Sequence, residues 1–301
     1  MSYIKSPLNY TGGKYKLLPQ IIPLFPSKIN TFVDLFGGGF NVGINIDANN
    51  VIYNEKDFHV VELLKYLKTT NIDLLLKEAD SIICRFNLSK ENQDGYNNLR
   101  DYYNNQNSNP MVFYILLCYA FNNQIRFNRD GKYNMPFGKN RSSFNPILRK
   151  RFILFVEALQ RLECDFTNLD FRYFPFQILT DNDFVYCDPP YYNSTATYNE
   201  QNGWNEKDEI DLLNILDSLN EKGIKFALSN NLKEGTTKYK DGFDHKAYWN
   251  WVREMSKNNI VLCSEYNAPD DFECIWSKGV TTSLNVYKHE NRTEKLFRYK
   301  M

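Results

Sequence analysis

A chain of 301 residues that is 43% hydrophobic and 16% aromatic is too apolar to stay disordered and long enough to bury a sizeable core. That length admits one domain carrying an insertion, or two average domains, and excludes a disulfide-stapled miniprotein. Lysine plus arginine (36) balances aspartate plus glutamate (36), so any surface for a polyanion must be local.

The first residues, MSYIKSPLNYTGGK, lack the apolar core and small-residue cleavage site of a signal peptide, and a cytoplasmic protein is expected. Thr31 to Phe36, TFVDLF, reads as a strand running into Gly37, Gly38 and Gly39, with a helix expected from Asn41. Val51, Ile52 and Tyr53 read as a second strand ending at Glu55, and VVELLKYL follows at helical spacing, the start of a parallel α/β pattern. Beyond residue 70 the composition shifts toward Asn, Tyr and Arg. Within that stretch the apolar run Met111 to Phe121 is about half of what a bilayer-spanning helix needs, and is expected as a buried helix. Asp130-Gly131 signals a two-residue type I′ turn, whose central positions both need positive φ, so a small β-hairpin is expected there. The α/β rhythm resumes with the helix PILRKRFILFVEALQRL and the strand DFVYC, which stops at two prolines. Helix EIDLLNILDSLNEKG, capped by Gly223, and strand IKFALSNN follow, and SLNVYKH and EKLFRYK read as further short strands.

Cysteines 84, 118, 164, 187, 263 and 274 are too far apart for a CxxC pair and read as reduced, mostly buried thiols. His59, His245 and His289 stand alone in the sequence. No metal site is expected, and a histidine-based triad has little to be built from.

The most specific motif is Asp188-Pro189-Pro190-Tyr191 at a strand end. Two prolines make the turn rigid and remove two donors, which leaves an edge of carbonyls and one carboxylate that suits an exocyclic amine. Acceptors at Asp188 and the Pro189 carbonyl would orient such an amine, whose lone pair is otherwise delocalised into its ring, toward an electrophile, and Tyr191 would stack on the base. Its companion is TFVDLFGGGF. Three glycines after a strand allow close approach of a cofactor, but Val42 breaks the GxGxxG dinucleotide fingerprint, and Glu55 lies at the distance expected for holding ribose hydroxyls. This favours a nucleoside cofactor without a pyrophosphate. TGGKY is no P-loop either, since Leu8 and Tyr15 occupy two of that pattern's defining positions.

Taken in order, PLNYTGGKYKLL, FVDLFGGGF, RFNRDGKYNMPFG and VYCDPPYY closely resemble the Dam-like (D12, alpha-group) class of DNA adenine-N6 methyltransferases, across nearly the whole chain. The resemblance implies an α/β, Rossmann-like, S-adenosylmethionine-dependent methyltransferase domain over 1–57 and 157–301. It also implies an inserted, mainly helical target-recognition domain over 58–156 that carries a β-hairpin. It places Tyr10 and Lys14 against the cofactor, although enterobacterial members have tryptophan at the first position, and Glu55 on the ribose, where they have aspartate. Asp34, Phe36 and Gly37 to Gly39 join that pocket, Asp170 and Phe171 pack the cofactor adenine, and Asp188 is shared with catalysis by Asp188, Pro189, Pro190 and Tyr191. Of Phe36 and Phe40, one is expected to line the pocket and the other to be core.

Between Arg126 and Arg151 stand eight basic residues and one acid, Asp130, a local excess that fits phosphate contact. The resemblance gives Arg126 a guanine-reading role and Asn122 the gap beside a flipped adenine, while the basic excess offers Arg129, Lys132, Lys139 and Arg141 as phosphate contacts and Asn128 is a nearby polar candidate. NSTATYNEQNGW, after the proline motif, reads either as a lid over the flipped base or as a loose connection. The expected reaction is methylation of adenine N6 in double-stranded DNA, with GATC as a candidate site, a cognate restriction endonuclease as a candidate partner, no membrane and a monomeric chain. The residues leave open N4-cytosine or RNA-adenine methylation, a non-catalytic methylase-like DNA-binding protein, and a small-molecule or protein methyltransferase.

Overall fold

The computed structural model describes residues 3–10, 12–106, 109–190, 204–230, 245–265, 267–285 and 288–300. Eight strands form one sheet: β1 (Thr31–Asp34), β2 (Asn50–Asn54), β3 (Cys164–Thr167), β4 (Phe184–Cys187), β5 (Lys225–Asn230), β6 (Ile260–Glu265), β7 (Phe272–Asn285) and β8 (Lys288–Tyr299). Their order is β3-β2-β1-β4-β5-β6-β8-β7. The first six run parallel, and β8 pairs antiparallel with both β6 and β7. A parallel sheet must be covered on both faces, and its strands are correspondingly apolar throughout. In β4, Phe184 and Tyr186 enter one core while Val185 and Cys187 enter the other, as a two-residue period requires.

Between β2 and β3 the chain forms α2 (Phe58–Thr69), α3 (Ile72–Arg85), α4 (Gln93–Asn105), α5 (Pro110–Tyr119) and α6 (Pro146–Arg161), after the short α1 (Leu18–Ile21) near the start. These helices share one continuous core with the first sheet face, and α5 is buried on nearly every side. The opposite face is covered by α7 (Glu206–Glu221) and α8 (His245–Met255). The asparagine-rich composition of this region has a local cause. Asn71, Asn92, Asn109, Asn145 and Asn205 each accept first-turn N–H groups as helix caps, and Pro110 and Pro146 follow two of them, where a missing N–H costs nothing. Gly223, at φ 75°, turns the chain out of α7 as expected. No helix among the described residues is long and apolar enough to cross a membrane.

Several expectations need correction. The α-helix expected from Asn41 is only a 3₁₀ turn, Gly43–Asn45. Phe40 is left-handed (φ 58°), the Gly43 N–H is taken by Asp34 Oδ2 (3.0 Å), and Asn45 bonds Ile4 through both side-chain atoms. The Asn45 side chain also takes the Asn41 carbonyl (2.8 Å), the acceptor that the Asn45 N–H would use in an α-helix. The hairpin expected at Asp130-Gly131 is present in minimal form, with the Asn128 N–H donating to the Lys132 carbonyl (2.8 Å) and the Asn134 N–H to the Arg126 carbonyl (3.1 Å), but its turn is not the expected two-residue type I′. Of that pair only Gly131 has positive φ (72°), and Asn128 Oδ1 caps the turn by accepting from Asp130 and Lys132. The arms pair at the bridges Ala120↔Phe137 and Phe127↔Tyr133 and are tied again by the Arg126 side chain on Asn134. Asn104 of α4 takes both the N–H and the C=O of Tyr133, and the Tyr96 hydroxyl takes the Met135 carbonyl, so α4 satisfies the backbone groups that this arm turns away from its partner arm. The terminal strands are long rather than short. Cys84 and Cys274 are exposed thiols, whereas Cys118, Cys187 and Cys263 are buried.

Candidate active site

The C-terminal ends of β1 and β4 lie side by side in the middle of the sheet, where an open parallel sheet forms its ligand crevice. A cavity of about 440 Å³ opens there, within the usual range for small-molecule sites. Tyr10, Lys14, Asp34, Phe36, Gly37, Gly38, Gly39, Glu55, Asp170, Phe171, Asp188, Pro189 and Pro190 all line it. Tyr191 and most of NSTATYNEQNGW lie outside the described residues.

The glycine loop is held from both sides. Gly38 donates to Glu55 Oε2 (2.9 Å) and accepts from the Tyr53 hydroxyl (2.7 Å), at a φ of 47° that disfavours side chains. A Cβ on Gly37 would stand 2.2 Å from Tyr53 Cε2, so its glycine is required by the protein's own packing as well as by any ligand. Glu55 Oε1 accepts the Asp57 N–H (2.9 Å), and each carboxylate oxygen keeps lone-pair capacity toward the cavity.

Lys14 is 4% exposed and binds Asp188 Oδ1 at 2.6 Å, so it is no solvated surface lysine. Asp188 Oδ2 carries no hydrogen bond among the described residues. Burial raises the Asp188 carboxyl above its ordinary range, and Lys14 opposes the shift. Burial pushes Asp34 up to about 7 against the Gly43 N–H, with Asp188 and Glu55 adding repulsion. Glu55 is likewise pushed up to about 7 by burial, opposed by N–H groups that include those of Asp57 and Gly38. The cavity lining carries five acids, Asp34, Glu55, Asp170, Asp188 and Asp208, against Lys14, Lys56 and Arg172, an acidic excess suited to a cationic ligand.

The aromatic wall of the cavity was only partly legible in the sequence. Phe36 and Phe171 lie 5.4 Å apart, and Trp204 packs on both, at 5.6 and 5.3 Å. Phe40 is instead core, edge-on to Tyr53. The Trp204 indole N–H donates to Glu209 Oε2 (2.7 Å), whose other oxygen accepts from Asn230 (2.6 Å). Beside the wall, Arg172 bridges Asp170, Asp208 and Asp211. Burial raises Asp170, yet the Arg172 N–H, Lys56 and the guanidinium leave it below its ordinary range. Trp204, Arg172 and Asp208 escaped sequence reading because no local pattern marks them. The one available signal was Trp204 preceding the capping asparagine of a helix.

A model of D12 class N6 adenine-specific DNA methyltransferases matches residues 10–257. The chain belongs to this family. It is 46% identical over 263 residues to the type II methyltransferase M.FokI of Planomicrobium okeanokoites, covering 86% of this chain and 40% of that protein. It is 44% identical over 269 residues to the modification methylase StsI of Streptococcus sanguinis, covering 88% and 40% respectively. The DNA adenine methylase of Escherichia coli K12 is 25% identical over 230 residues, 74% of this chain and 79% of that protein. The chain therefore spans about two fifths of the length of the first two relatives.

For the residues expected to meet DNA, the structure gives positions and partners. Asn9, next to Tyr10 at the cavity, donates to the Asn122 carbonyl (2.6 Å), which brings the Asn122 segment to the cavity's lip. Arg126 is half-buried and held by Asn134, through Nε to Oδ1 and Nη2 to the carbonyl, both 2.7 Å. Asn128 is spent on its turn, and Lys132 reaches Asn105 (3.2 Å). Arg129, Lys139 and Arg141 are exposed, with Arg141 over the Phe121 ring. Arg149, part of the basic excess, is paired bidentately with Asp80. His59 is not isolated in space. It stacks on Phe127 at 4.1 Å and meets the Tyr103 hydroxyl through Nδ1 (2.7 Å), tying this segment to α2 and α4.

Proposed function

We propose that this protein methylates N6 of adenine in double-stranded DNA from S-adenosylmethionine, with the target nucleotide rotated out of the duplex into the cleft beside Asp188. The observation that carries this reading is the Lys14–Asp188 pair in the lining of an acidic, aromatic-walled cavity, in a chain of this family. The cavity's chemistry fits the cofactor. Glu55 would take the ribose hydroxyls, Phe36, Phe171 and Trp204 would face the adenine, and Asp34 and Asp188 would offset positive charge. When bound, S-adenosylmethionine supplies an activated methyl group.

The chain's own residues do the rest. Lys14 holds Asp188 Oδ1, so Oδ2 is left to accept one N–H of the incoming amine, and the Pro189 carbonyl is available for the other. These acceptors would localise the lone pair on nitrogen, and Oδ2 would hold the proton that the amine must lose. The rigid proline pair keeps both acceptors in place without reorganisation. Residues 58–156 would serve as the target-recognition unit, with Arg126 presented by Asn134 for a bidentate guanine contact, Asn122 beside the emptied stack, and Arg129, Lys132, Lys139 and Arg141 along the phosphates. On this reading the enzyme is a cytoplasmic monomer that protects sites, GATC among the first to test, from a cognate restriction endonuclease.

The test is incubation with isotopically labelled S-adenosylmethionine and unmethylated duplex DNA, followed by nucleoside mass analysis. N6-methyladenine is the expected product. N4-methylcytosine would change the base, and absence of any methylated nucleoside in protein that binds the cofactor would overturn the proposal.

A further inference from the structure

The β7–β8 pair outruns the sheet that carries it. β6 pairs with β8 from Leu262↔Arg298 to Glu265↔Lys295, and there its pairing stops. β7 and β8 remain paired from Lys278↔Glu294 out to Asn285↔Lys288, with no third strand beside them among the described residues. At about 3.4 Å per residue this is a ribbon on the order of 25 Å long.

Its direction follows from the register. β6 runs parallel to β5, which runs parallel to β4 and β1, so the end of β6 at Glu265 lies on the same sheet edge as Asp34 and Asp188. The ribbon leaves from that edge. Three strand spacings separate β4 from β8, roughly 14 Å at about 4.8 Å each, a distance comparable to the radius of a duplex plus a side chain. The helices that present Asn122 and Arg126 enter from the other flank, between β2 and β3. The cleft therefore has an arm on each side.

A two-stranded ribbon without a covering layer is marginally stable in water, and one of this length needs something to lie against. The sequence from Lys278 to Lys295 is Thr-, Ser- and Asn-rich, with Lys278, Lys288, Arg292 and Lys295 opposed by two acids, Glu290 and Glu294. That composition fits phosphate and groove contact rather than an apolar protein interface. We infer that the outer β7–β8 ribbon is a second DNA-binding arm, which grips the duplex on the side of the flipped base opposite the Asn122–Arg126 segment. This rests on the DNA methyltransferase reading above.

The experiment compares the intact protein with a variant in which residues 280–292 are replaced by Asn-Gly, joining Gly279 to Thr293 and keeping every pair that abuts β6. A second variant, Lys278→Glu with Lys288→Glu and Arg292→Glu, keeps the ribbon's length. The probe is a short fluorescein-labelled duplex, titrated by anisotropy across salt concentrations with S-adenosylmethionine affinity measured in parallel. Both variants are expected to lose about tenfold in duplex affinity and to show a salt slope shallower by about 1 to 3, with cofactor affinity changed less than twofold. Duplex affinity and slope equal to the intact protein's in either correctly folded variant would overturn the inference. If the intact protein methylates DNA, such a result removes only the arm. If it neither binds nor methylates DNA, the functional reading falls instead.

Discussion

Cofactor affinity should rise with pH between 6 and 8, because the empty pocket stores protons on groups that a cation would ionise. Asp34 and Glu55 are both buried and pushed up to about 7, and Asp188 is raised as well. A carboxyl titrating near 7 is about 10% ionised at pH 6 and about 90% at pH 8. If a cationic methyl donor requires one of them ionised, its dissociation constant falls about tenfold over that interval, and about a hundredfold if it requires both. The sign in the empty protein runs the other way. A carboxyl raised on folding makes the native state bind more protons than the unfolded chain, so this stability is full below about pH 4 and is lost as pH rises to about 7. Isothermal titration of S-adenosylmethionine at pH 6, 7 and 8, in buffers of different ionisation heat, reads both affinity and protons released. Release of one to two protons at pH 6, reduced by Asp34→Asn, is the expected result. Affinity that is flat or falling with pH, or net proton uptake, would refute the reasoning.

Asp188→Ala is expected to abolish turnover nearly completely, and Lys14→Met to lower kcat more than tenfold by leaving Asp188 buried without its cation; single-turnover methylation at saturating cofactor measures both. Gly37→Ala should cost about 1–3 kcal/mol, because its Cβ meets the Tyr53 ring at 2.2 Å and the buried ring must move, a loss read by urea denaturation. Trp204→Ala should weaken S-adenosylmethionine binding about tenfold and remove ligand-induced fluorescence quenching, while duplex affinity changes less than twofold.

Two physical rules made much of this molecule legible from the amino-acid order. Continuous apolar runs mark β1, β2, β4 and β5 and, behind Asn109 and Pro110, α5, while 3.6-residue spacing behind Asn145 and Pro146 marks α6. The segments that build the cavity carry chemistry in contiguous residues, the glycine loop and the proline turn, so thirteen positions named from the sequence line a single crevice. Other features depended on partners distant in sequence. Whether the chain after Gly39 becomes a helix is decided by Asp34 taking the Gly43 N–H and by the Asn45 side chain, anchored on Ile4, taking the Asn41 carbonyl, and the Asp130-Gly131 turn takes its shape from Asn128. The family resemblance puts Lys14 at the cofactor pocket, but only the fold brings Asp188, at a strand end far along the chain, to its ammonium. Trp204 becomes a cavity wall only through Glu209 and Asn230. Local propensity and periodicity act over a few residues, whereas burying a charge or satisfying a buried donor is settled by whichever group the fold places within about 3 Å.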